Sequence, residues 1–292
     1  MPRVQIGLPV YNSGEVLQDS LDCLQAQTYR DFQVLMSDNA STDGTPDLCA
    51  RMAAQDSRFV HMRRDKNVGA LGNFHGVLRD ADASLFAWRA DDDLSAPDFL
   101  ERLVAIFDAR PGTVLAVTKV RTTQPGGKTG ITPYPGRLAG VRVAQTLSQM
   151  FRGHASWIYG LWDRRAVTDA IDKVVEGYPH LWGWDHLVLL QFILAGQVAG
   201  TNNSYFEQRI MARHDLSAEQ RAALPGLAEM TALRQDFARF TAATLKEQPF
   251  NGIERLILKA ALPFYNDKRG YPRGKLWRRR MRLALGWRNE QP

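Results

Sequence analysis

The sequence predicts an α/β fold in which a mostly parallel sheet is flanked by helices and followed by a helical extension. Short apolar segments with the composition of buried strands alternate with segments whose apolar residues recur at helical spacing. This alternation runs over about the first ninety residues and is typical of parallel strands joined by helices that cover both faces of a sheet. From about Ala218 onward the chain has helical character and becomes increasingly basic.

The first half contains four predicted strands. They lie in RVQIGLPVYN (Val4 to Val10), in DFQVLMSD, in RFVHMRR and in SLFAWRA. The first intervening helix is indicated by Leu17, Leu21 and Leu24 at helical spacing, with Ser13 as its N-cap. Further helices are predicted in TPDLCARMAAQD and in NVGALGNFHGVLRDA.

The second half is less regular. Residues 122–138, TTQPGGKTGITPYPGRL, are rich in glycine and proline and predict a long loop, which is often a functional lid. Helices are predicted in RVAQTLSQMF and in WGWDHLVLLQFILAGQV. We therefore expect a first domain over residues 1–217, with halves at 1–118 and 119–217, and a helical basic extension over 218–292.

Composition limits the class of protein. The 292 residues carry a net charge of +6, so an anionic partner is plausible. Cys23 and Cys49 do not form a disulfide framework, which favours a reducing cytoplasm. No apolar run reaches the length that spans a bilayer. Any contact with a membrane is therefore expected from the side, at its inner face.

Polar residues follow three of the predicted strands. PVYN, SDNASTD and ADDD each come where a strand ends. Ligands of such sheets bind beyond the carboxyl ends of the strands, so these segments are expected along one crevice. SDNASTD could also be no more than an Asx-rich turn.

Three consecutive aspartates, Asp91, Asp92 and Asp93, follow the apolar segment LFAW. Carboxylate oxygens suit Mg²⁺ or Mn²⁺, which bridge them to substrate phosphates. The alternative is a cap for the next helix, where Ser95 and Asp98 surround Pro97. Three carboxylates in a row favour the metal site.

Together these segments resemble family 2 glycosyltransferases with the GT-A fold. The resemblance is carried by GLPVYNSGEVLQDSLDCLQAQTYRDFQVLMSDNASTDGT, then NVGALGNF, then ADDDLSAPDFLERL, in the family's order and spacing over about the first hundred residues. It implies a nucleotide-sugar donor in the crevice. By this resemblance Tyr11 stacks on the base, Pro9 lines it, Asp38 and Asn39 read its edge, and Asn12 and Asn67 also contact the donor.

The resemblance also implies a Mn²⁺ or Mg²⁺ ion. Asp92 is the expected principal ligand, Asp91 contacts the ribose or the metal, and Asp93 orients the sugar or the strand end. The sequence departs from the family pattern in two places. Ala90 stands where the family has the first aspartate of D-x-D, and Asn39 stands where a second aspartate is commoner, so uracil and thymine are both admissible. His214, in an H-x-x-S segment, completes the metal shell, touches the pyrophosphate or faces solvent.

Acceptor recognition is expected from the second half. Asp185 matches a family carboxylate that deprotonates the acceptor hydroxyl, although an aspartate there would also serve as a helix N-cap. Trp182 and Trp184 suit the faces of a sugar ring but could belong to the core. Arg164, with Arg165 beside it, either binds phosphate or lies on a solvated helix face.

The function implied is transfer of a sugar, with inversion, from a UDP- or dTDP-linked donor to a hydroxyl of a glycan or a lipid-linked acceptor, as in surface polysaccharide synthesis. A nucleotidyltransferase is disfavoured because PVYNSGE lacks a basic residue, and a nucleic-acid-binding protein because the strand ends carry aspartates.

The tail predicts a helix from about Lys275. Trp277, Met281, Ala284 and Leu285 lie on one stripe of it, which either docks on an anionic membrane or packs on the enzyme itself.

Overall fold

The computed structural model describes residues 1–136, 140–210 and 226–284. These residues form two compact units. Within the described ranges, the first unit contains residues 1–136, 152–172 and 197–210, and the second contains residues 140–151, 173–196 and 226–284. The expected domain boundary at residue 217 lies outside the described residues.

The first unit is built on a nine-stranded sheet. Eight strands follow the order β3-β2-β1-β4-β8-β6-β9-β5, and β7 pairs with β6. The strands are β1 (Val4–Val10), β2 (Phe32–Asp38), β3 (Phe59–Arg63), β4 (Leu85–Trp88), β5 (Leu94–Ser95), β6 (Leu115–Thr123), β7 (Thr129–Thr132), β8 (Leu161–Asp163) and β9 (Val198–Arg209).

The four predicted strands pair in parallel, in the order β3-β2-β1-β4. The second half differs from the mostly parallel prediction. β8 is antiparallel to both β4 and β6, β5 is antiparallel to β9, and β6 and β9 pair in parallel. The α/β fold with flanking helices is therefore confirmed, around a sheet that is mixed overall.

Helices cover the sheet of the first unit. They are α1 (Val16–Gln25), α2 (Thr45–Gln55), α3 (Ala70–Asp80) and α4 (Phe99–Ala109), followed by a short 3₁₀ helix (Ala155–Tyr159) and the start of α6 (Arg164–Gly177). Every residue of β1 is buried. Gly7 is required in β1, because a Cβ there would lie 2.6 Å from the Phe86 ring and 2.7 Å from Val77.

Two local expectations were wrong. Residues 122–138 are not a continuous loop, because β6 and β7 form an antiparallel hairpin whose turn contains Gly126 and Gly127 in the left-handed region. Ser13 is not the N-cap of α1. That position is held by Glu15, without a side-chain cap.

The second unit is helical. It contains α5 (Arg142–Arg152), α7 (Trp184–Ala195), α8 (Leu227–Glu247), α9 (Gly252–Arg269) and α10 (Arg273–Ala284), with the end of α6. The helical extension predicted from the sequence is therefore present. α9 packs on α8, and the Phe237 and Tyr265 rings stack with centroids 6.3 Å apart. Over the described residues, no helix combines the length and apolarity needed to cross a membrane.

Candidate donor-binding site

Loops that follow the parallel strands converge in the first unit. Val10 at the end of β1 lies in register with Asp38 at the end of β2. The Asn12 backbone N–H donates to Ser41 Oγ at 3.0 Å, and Asn12 Oδ1 accepts from the Thr42 N–H at 2.9 Å. The Ser13 hydroxyl donates to Asp91 Oδ2 in the loop after β4. The three polar segments therefore meet at one edge of the sheet, as strand pairing requires.

The backbone of these loops is unusual. Asn12 and Ala40 have φ angles of 48° and 61°, in the left-handed region that non-glycine residues seldom adopt. Asparagine tolerates this region, whereas alanine has no polar side chain to compensate. The Ala40 conformation is held by its neighbour, because the Ser41 N–H donates to Asp38 Oδ1 at 2.9 Å. Such strain concentrates at functional sites.

The loop after β2 is held by its own side chains. Asp38 is fully buried, and its Oδ2 accepts from Arg63 Nη1 at 2.6 Å. Asn39 donates through Nδ2 to Asn67 Oδ1 at 2.9 Å and accepts at Oδ1 from the Val68 N–H at 2.9 Å. Both residues thus bind protein groups. In this arrangement they fix the positions of the two loops, and their expected contact with a base stays a prediction.

Tyr11 presents a ring surface beside these loops. Its side chain is 45% exposed, directly after β1. Pro9 differs from the expectation that it lines the base, because it is buried within β1 and pairs in register with Ser37. Asn67 is exposed in the loop before α3. Among the expected donor contacts, Tyr11, Asn12 and Asn67 are therefore exposed.

The three aspartates occupy the turn between β4 and β5. Burial raises the pKa of Asp91, and the hydrogen bond from Ser13 opposes this. Burial and then the neighbouring charge of Asp91 raise the pKa of Asp92. Burial, with the charge of Asp92, raises the pKa of Asp93 to about 7. Ionising all three carboxyls is therefore unfavourable without additional positive charge.

A divalent cation suits this cluster through Asp91 and Asp92. Both are partly exposed, whereas Asp93 is buried and accepts the Arg209 N–H at Oδ1, 3.0 Å away. Asp93 is thus placed to fix the strand end. Among the described side chains, no three or more His, Cys, Asp or Glu are grouped as a complete metal site. One or two carboxylates suffice for Mg²⁺ or Mn²⁺, which complete their shell with water and substrate phosphates.

Arg209 is a residue that sequence reasoning missed. It ends β9, and its guanidinium donates to the Asp92 carbonyl, to Asp19 Oδ2 at 2.7 Å and to the Val16 carbonyl at 3.3 Å. Its positive charge also lowers the pKa values of Asp91 and Asp92 against the effect of burial. Arg209 therefore ties the aspartate turn to the start of α1.

Arg89 provides a second missed positive charge. It is fully buried, with its guanidinium 5.2 Å from the Phe206 ring centroid and 5.6 Å from that of Phe99. Nη2 donates to Ser95 Oγ at 2.7 Å, whereas Nη1 is buried and has no hydrogen-bond partner among the residues that the structure describes. Its charge lowers the pKa of Asp93 against burial. An arginine directly after an apolar strand gives no sequence signal for this role.

Removing the Arg209 side chain is expected to destabilise the chain. Arg209→Ala deletes hydrogen bonds to a carboxylate and two carbonyls, and we expect a loss of about 1.5 to 3 kcal/mol in the free energy of unfolding. Urea denaturation measures it. Arg102→Ala is the control, because it removes only an exposed pair with Asp98, and solvent-exposed pairs contribute little to stability. Equal losses in the two variants would contradict the role of Arg209.

Asp93 should make the stability of the cation-free protein depend on pH. Its pKa is about 7 in the folded chain and about 3.9 when unfolded. The folded state therefore binds more protons between these values, and stability falls as pH rises from about 4 to about 7. Asp93→Asn removes this pH-dependent loss of unfolding free energy, which is at most about 4 kcal/mol. The asparagine oxygen still accepts the Arg209 N–H.

Thermal unfolding in a chelator at about pH 5 and about pH 8 tests this dependence. We expect Asp93→Asn to gain stability relative to the wild type on going to the higher pH. Asp82→Asn, at an exposed position outside the aspartate turn, should show no such gain. An Asp93→Asn effect of the same size at both pH values would contradict the assignment.

The expected acceptor residues lie in both units. In the second unit, Gly183 is the N-cap of α7, and Asp185 in the first turn accepts the His186 N–H at Oδ1, 2.8 Å away. The alternative that Asp185 is the N-cap of α7 is thus wrong, because Gly183 holds that position. Trp182 is exposed and Trp184 is half-buried. In the first unit, Arg164 Nε donates to the Ala83 carbonyl at 2.7 Å, a structural contact. His214 lies outside the described residues.

Comparisons with known proteins identify the family. The family model described as Glycosyl transferase family 2 matches residues 5–158, just over half of the chain. Among curated proteins, the chain is 30% identical over 108 residues to the putative glycosyltransferase EpsE of Bacillus subtilis, covering 37% of this chain and 39% of EpsE. It is 26% identical over 136 residues to the glycosyltransferase AglE of Haloferax volcanii, covering 46% of this chain and 44% of AglE. The matched region thus spans less than half of either relative.

Solved structures show the same fold. Staphylococcus aureus TarS residues 1–349, in complex with UDP-GlcNAc, superposes with a TM-score of 0.70 at 14% identity, over 98% of this chain and 78% of that one. The mannosyltransferase PcManGT from Pyrobaculum calidifontis, with GDP-Man and Mn²⁺, gives 0.56 at 18% identity, over 91% and 71%. These likenesses confirm the GT-A fold. With the match over residues 5–158, they show that the chain belongs to glycosyltransferase family 2.

Proposed function

We propose that this chain transfers a sugar from a nucleotide-diphosphate sugar to an acceptor hydroxyl, with inversion at the anomeric carbon. The observation that carries the proposal is the aspartate turn after β4, which is hydrogen-bonded to the loop after β1 through Ser13 and Asp91. That turn presents Asp91 and Asp92 at the edge of the sheet where the exposed Tyr11 also lies. Family membership and the donors bound by TarS and PcManGT support it.

On the donor side, Tyr11 stacks on the base and Asp92 holds a divalent cation, Mn²⁺ or Mg²⁺. When bound, such a cation neutralises the charge that develops on the diphosphate leaving group. Asp91 binds the cation or the ribose, and the hydrogen bond from Ser13 fixes its orientation. Arg209 stabilises the turn through hydrogen bonds to the Asp93 side chain and the Asp92 carbonyl. The PcManGT complex with Mn²⁺ supports a metal.

On the acceptor side, Asp185 acts as the general base that removes the proton of the attacking hydroxyl. Direct attack on the anomeric carbon then breaks the bond to the diphosphate and inverts the centre. Trp182 and Trp184 pack against the acceptor sugar, and Arg164 is the candidate for an acceptor phosphate. Asp185 is suited to the role because it is partly exposed and its Oδ2 has no hydrogen bond among the described contacts.

The acceptor is proposed to be a glycan or a lipid-linked sugar, as in surface polysaccharide synthesis. For that reason we also propose peripheral contact between the C-terminal helices and the anionic inner face of a membrane. In α10, Trp277 and Met281 are 63% and 40% exposed, which supports the membrane-docking alternative for this stripe. Leu276 of α10 is buried. Ala284 is the end of α10, and Leu285 lies outside the described residues.

Slow hydrolysis of a panel of nucleotide sugars tests the function. With Mn²⁺ present, we expect release of the free nucleoside diphosphate from one donor class. A nucleotidyltransferase would instead release pyrophosphate from a nucleoside triphosphate and a sugar phosphate. A nucleic-acid-binding protein would do neither and would bind oligonucleotides. Either of these results would overturn the proposal.

Tyr11→Ala should weaken nucleotide binding by about 1 to 3 kcal/mol, because base stacking on an aromatic ring is lost. Calorimetric titration of uridine, thymidine and guanosine diphosphates with Mn²⁺ measures the change. Uridine and thymidine diphosphates should bind more tightly than guanosine diphosphate. Val68→Ala is the control, since Val68 is equally exposed in the neighbouring loop but offers no ring. Unchanged affinity in Tyr11→Ala would remove the stacking role.

A further inference from the structure

One face of α9 presents large apolar side chains to solvent. Ile253, Leu256, Ile257 and Phe264 are 74%, 69%, 41% and 71% exposed, and Ala260 between them is also exposed. Their spacing of three or four residues places all five on one side of the helix. We call these five residues the α9 stripe. A contiguous exposed apolar surface of this kind typically marks an interaction site.

The α9 stripe is not the surface that attaches the helix to its own unit. Leu258, Leu262 and Tyr265 are buried on the opposite side, where α9 packs on α8. Asn266 on that side accepts from the Thr241 hydroxyl at 3.0 Å. The helix start is secured separately, because Asn251 and Glu254 form a capping box. The α9 stripe can therefore be replaced without loss of these contacts.

Charge surrounds the α9 stripe. Residues 252–284 contain ten lysines and arginines and two acids, a surplus of eight, whereas the whole chain has a surplus of six. Lys259 and Lys268 are exposed on either side of the stripe, and Lys275 and Arg278 are exposed on α10. Of the two acids, Glu254 is used in the capping box and Asp267 accepts from Arg234 at 3.1 Å. The basic surplus of the protein is thus concentrated on these two helices.

This charge distinguishes between the partners that could cover the α9 stripe. A symmetric pair of chains would place the same surface on both sides of the interface, so the basic residues of α9 and α10 would face each other. Like charges in that position oppose association. An anionic bilayer offers the opposite charge together with an apolar interior, and each basic residue near its surface adds to binding. The observations therefore favour a lipid surface over a second copy.

We propose that the α9 stripe inserts into the interface of an anionic bilayer while the basic residues of α9 and α10 bind the lipid headgroups. A helix with an apolar face and flanking lysines lies in the membrane plane in this way. The inference rests on the proposed membrane contact and is independent of sugar transfer. It assigns the inserted surface to α9, and Trp277 and Met281 of α10 then contribute less to membrane binding than the α9 stripe.

Sedimentation of the full chain with vesicles tests the proposal. Vesicles of phosphatidylcholine alone are compared with vesicles that also contain phosphatidylglycerol, at low and high salt. The full chain should pellet with the anionic vesicles at low salt. The combined change Ile253→Ser, Leu256→Ser and Phe264→Ser should lower the partition coefficient at least about tenfold, because three inserting side chains are lost. Changing Ile131, Val141 and Val175 to serine is the control, since these are exposed apolar residues elsewhere.

The outcomes separate the two proposals. If the triple α9 variant pellets like the wild type while Trp277→Ser with Met281→Ser does not, α10 is the membrane contact and the α9 inference is overturned. A wild-type chain that never pellets with anionic vesicles overturns both. Sedimentation velocity supplies the last alternative. If the wild type is a dimer and the α9 variant a monomer, the α9 stripe is a contact between copies. Donor hydrolysis should stay unchanged in the α9 variant.

Discussion

Replacing Asp92 with alanine is expected to abolish the cation-dependent part of nucleotide binding. Asp92 is partly exposed in the aspartate turn, and burial together with Asp91 raises its pKa. A bound divalent cation would stabilise the ionised carboxylate of Asp92, which burial and Asp91 disfavour. Affinity for uridine diphosphate should therefore rise with Mn²⁺ in the wild type only. A strengthening of tenfold corresponds to about 1.4 kcal/mol. Calorimetric titration with Mn²⁺ and with a chelator measures both proteins.

Asp82→Asn is the matched control for Asp92→Ala. Asp82 is exposed before β4 and lies outside the aspartate turn, so its variant should bind as the wild type does. A wild-type affinity for uridine diphosphate that is the same with Mn²⁺ and with chelator would refute the metal site. The fold and the family assignment would be unaffected.

Asp185→Asn should retain donor affinity while losing turnover by about 10²- to 10⁴-fold, the contribution of a positioned general base. The amide keeps an oxygen that accepts the His186 N–H, so the first turn of α7 keeps its hydrogen bond. Calorimetry with uridine diphosphate and steady-state transfer kinetics measure the two effects. Loss of kcat with unchanged donor affinity is the signature of a base.

Asp169→Asn controls for the loss of a surface charge, because Asp169 is exposed on α6. Its kinetics should match the wild type. A loss of kcat smaller than about tenfold in Asp185→Asn would be less than a general base contributes. In that case Asp185 has only a structural role in α7. A thermal melt of each variant shows whether loss of folding contributes.

The sequence predicts the first half of the fold well, because its signals are local. β1 has the composition of a buried strand, and Leu17, Leu21 and Leu24 repeat at helical spacing on α1. Parallel pairing of the first four strands then follows from the alternation of strands and helices. The same reasoning brings Tyr11 and the aspartates to one edge of the sheet without any knowledge of the family.

Contacts between distant segments could not be predicted in this way. Arg209 and Asp92 are 117 residues apart, and nothing in either segment signals their hydrogen bond. Ser13 has the residue type of an N-cap, but its hydroxyl is used by Asp91 instead. Asn39 suits a base edge, yet its amide is used by the loop that contains Asn67. For Ser13, a local preference was overridden by a tertiary contact.

The helical extension shows the limits of periodicity. The pattern of α10 correctly groups Trp277 with Met281, but it does not show whether that face is buried. For α9, apolar residues occur on both sides, so the sequence alone does not distinguish Leu258, which is buried, from Leu256, which is exposed. Packing decides which side of a helix faces solvent, and packing is set by residues far along the chain.

The most direct test of the donor site is a crystal structure with uridine diphosphate and Mn²⁺, in which anomalous scattering locates the metal. We expect the manganese peak within coordination distance of an Asp92 carboxylate oxygen, about 2 to 2.5 Å, with the diphosphate on the same ion and the base against Tyr11. A nucleotide bound away from the aspartate turn, or a diphosphate held there without a manganese peak, would contradict the account.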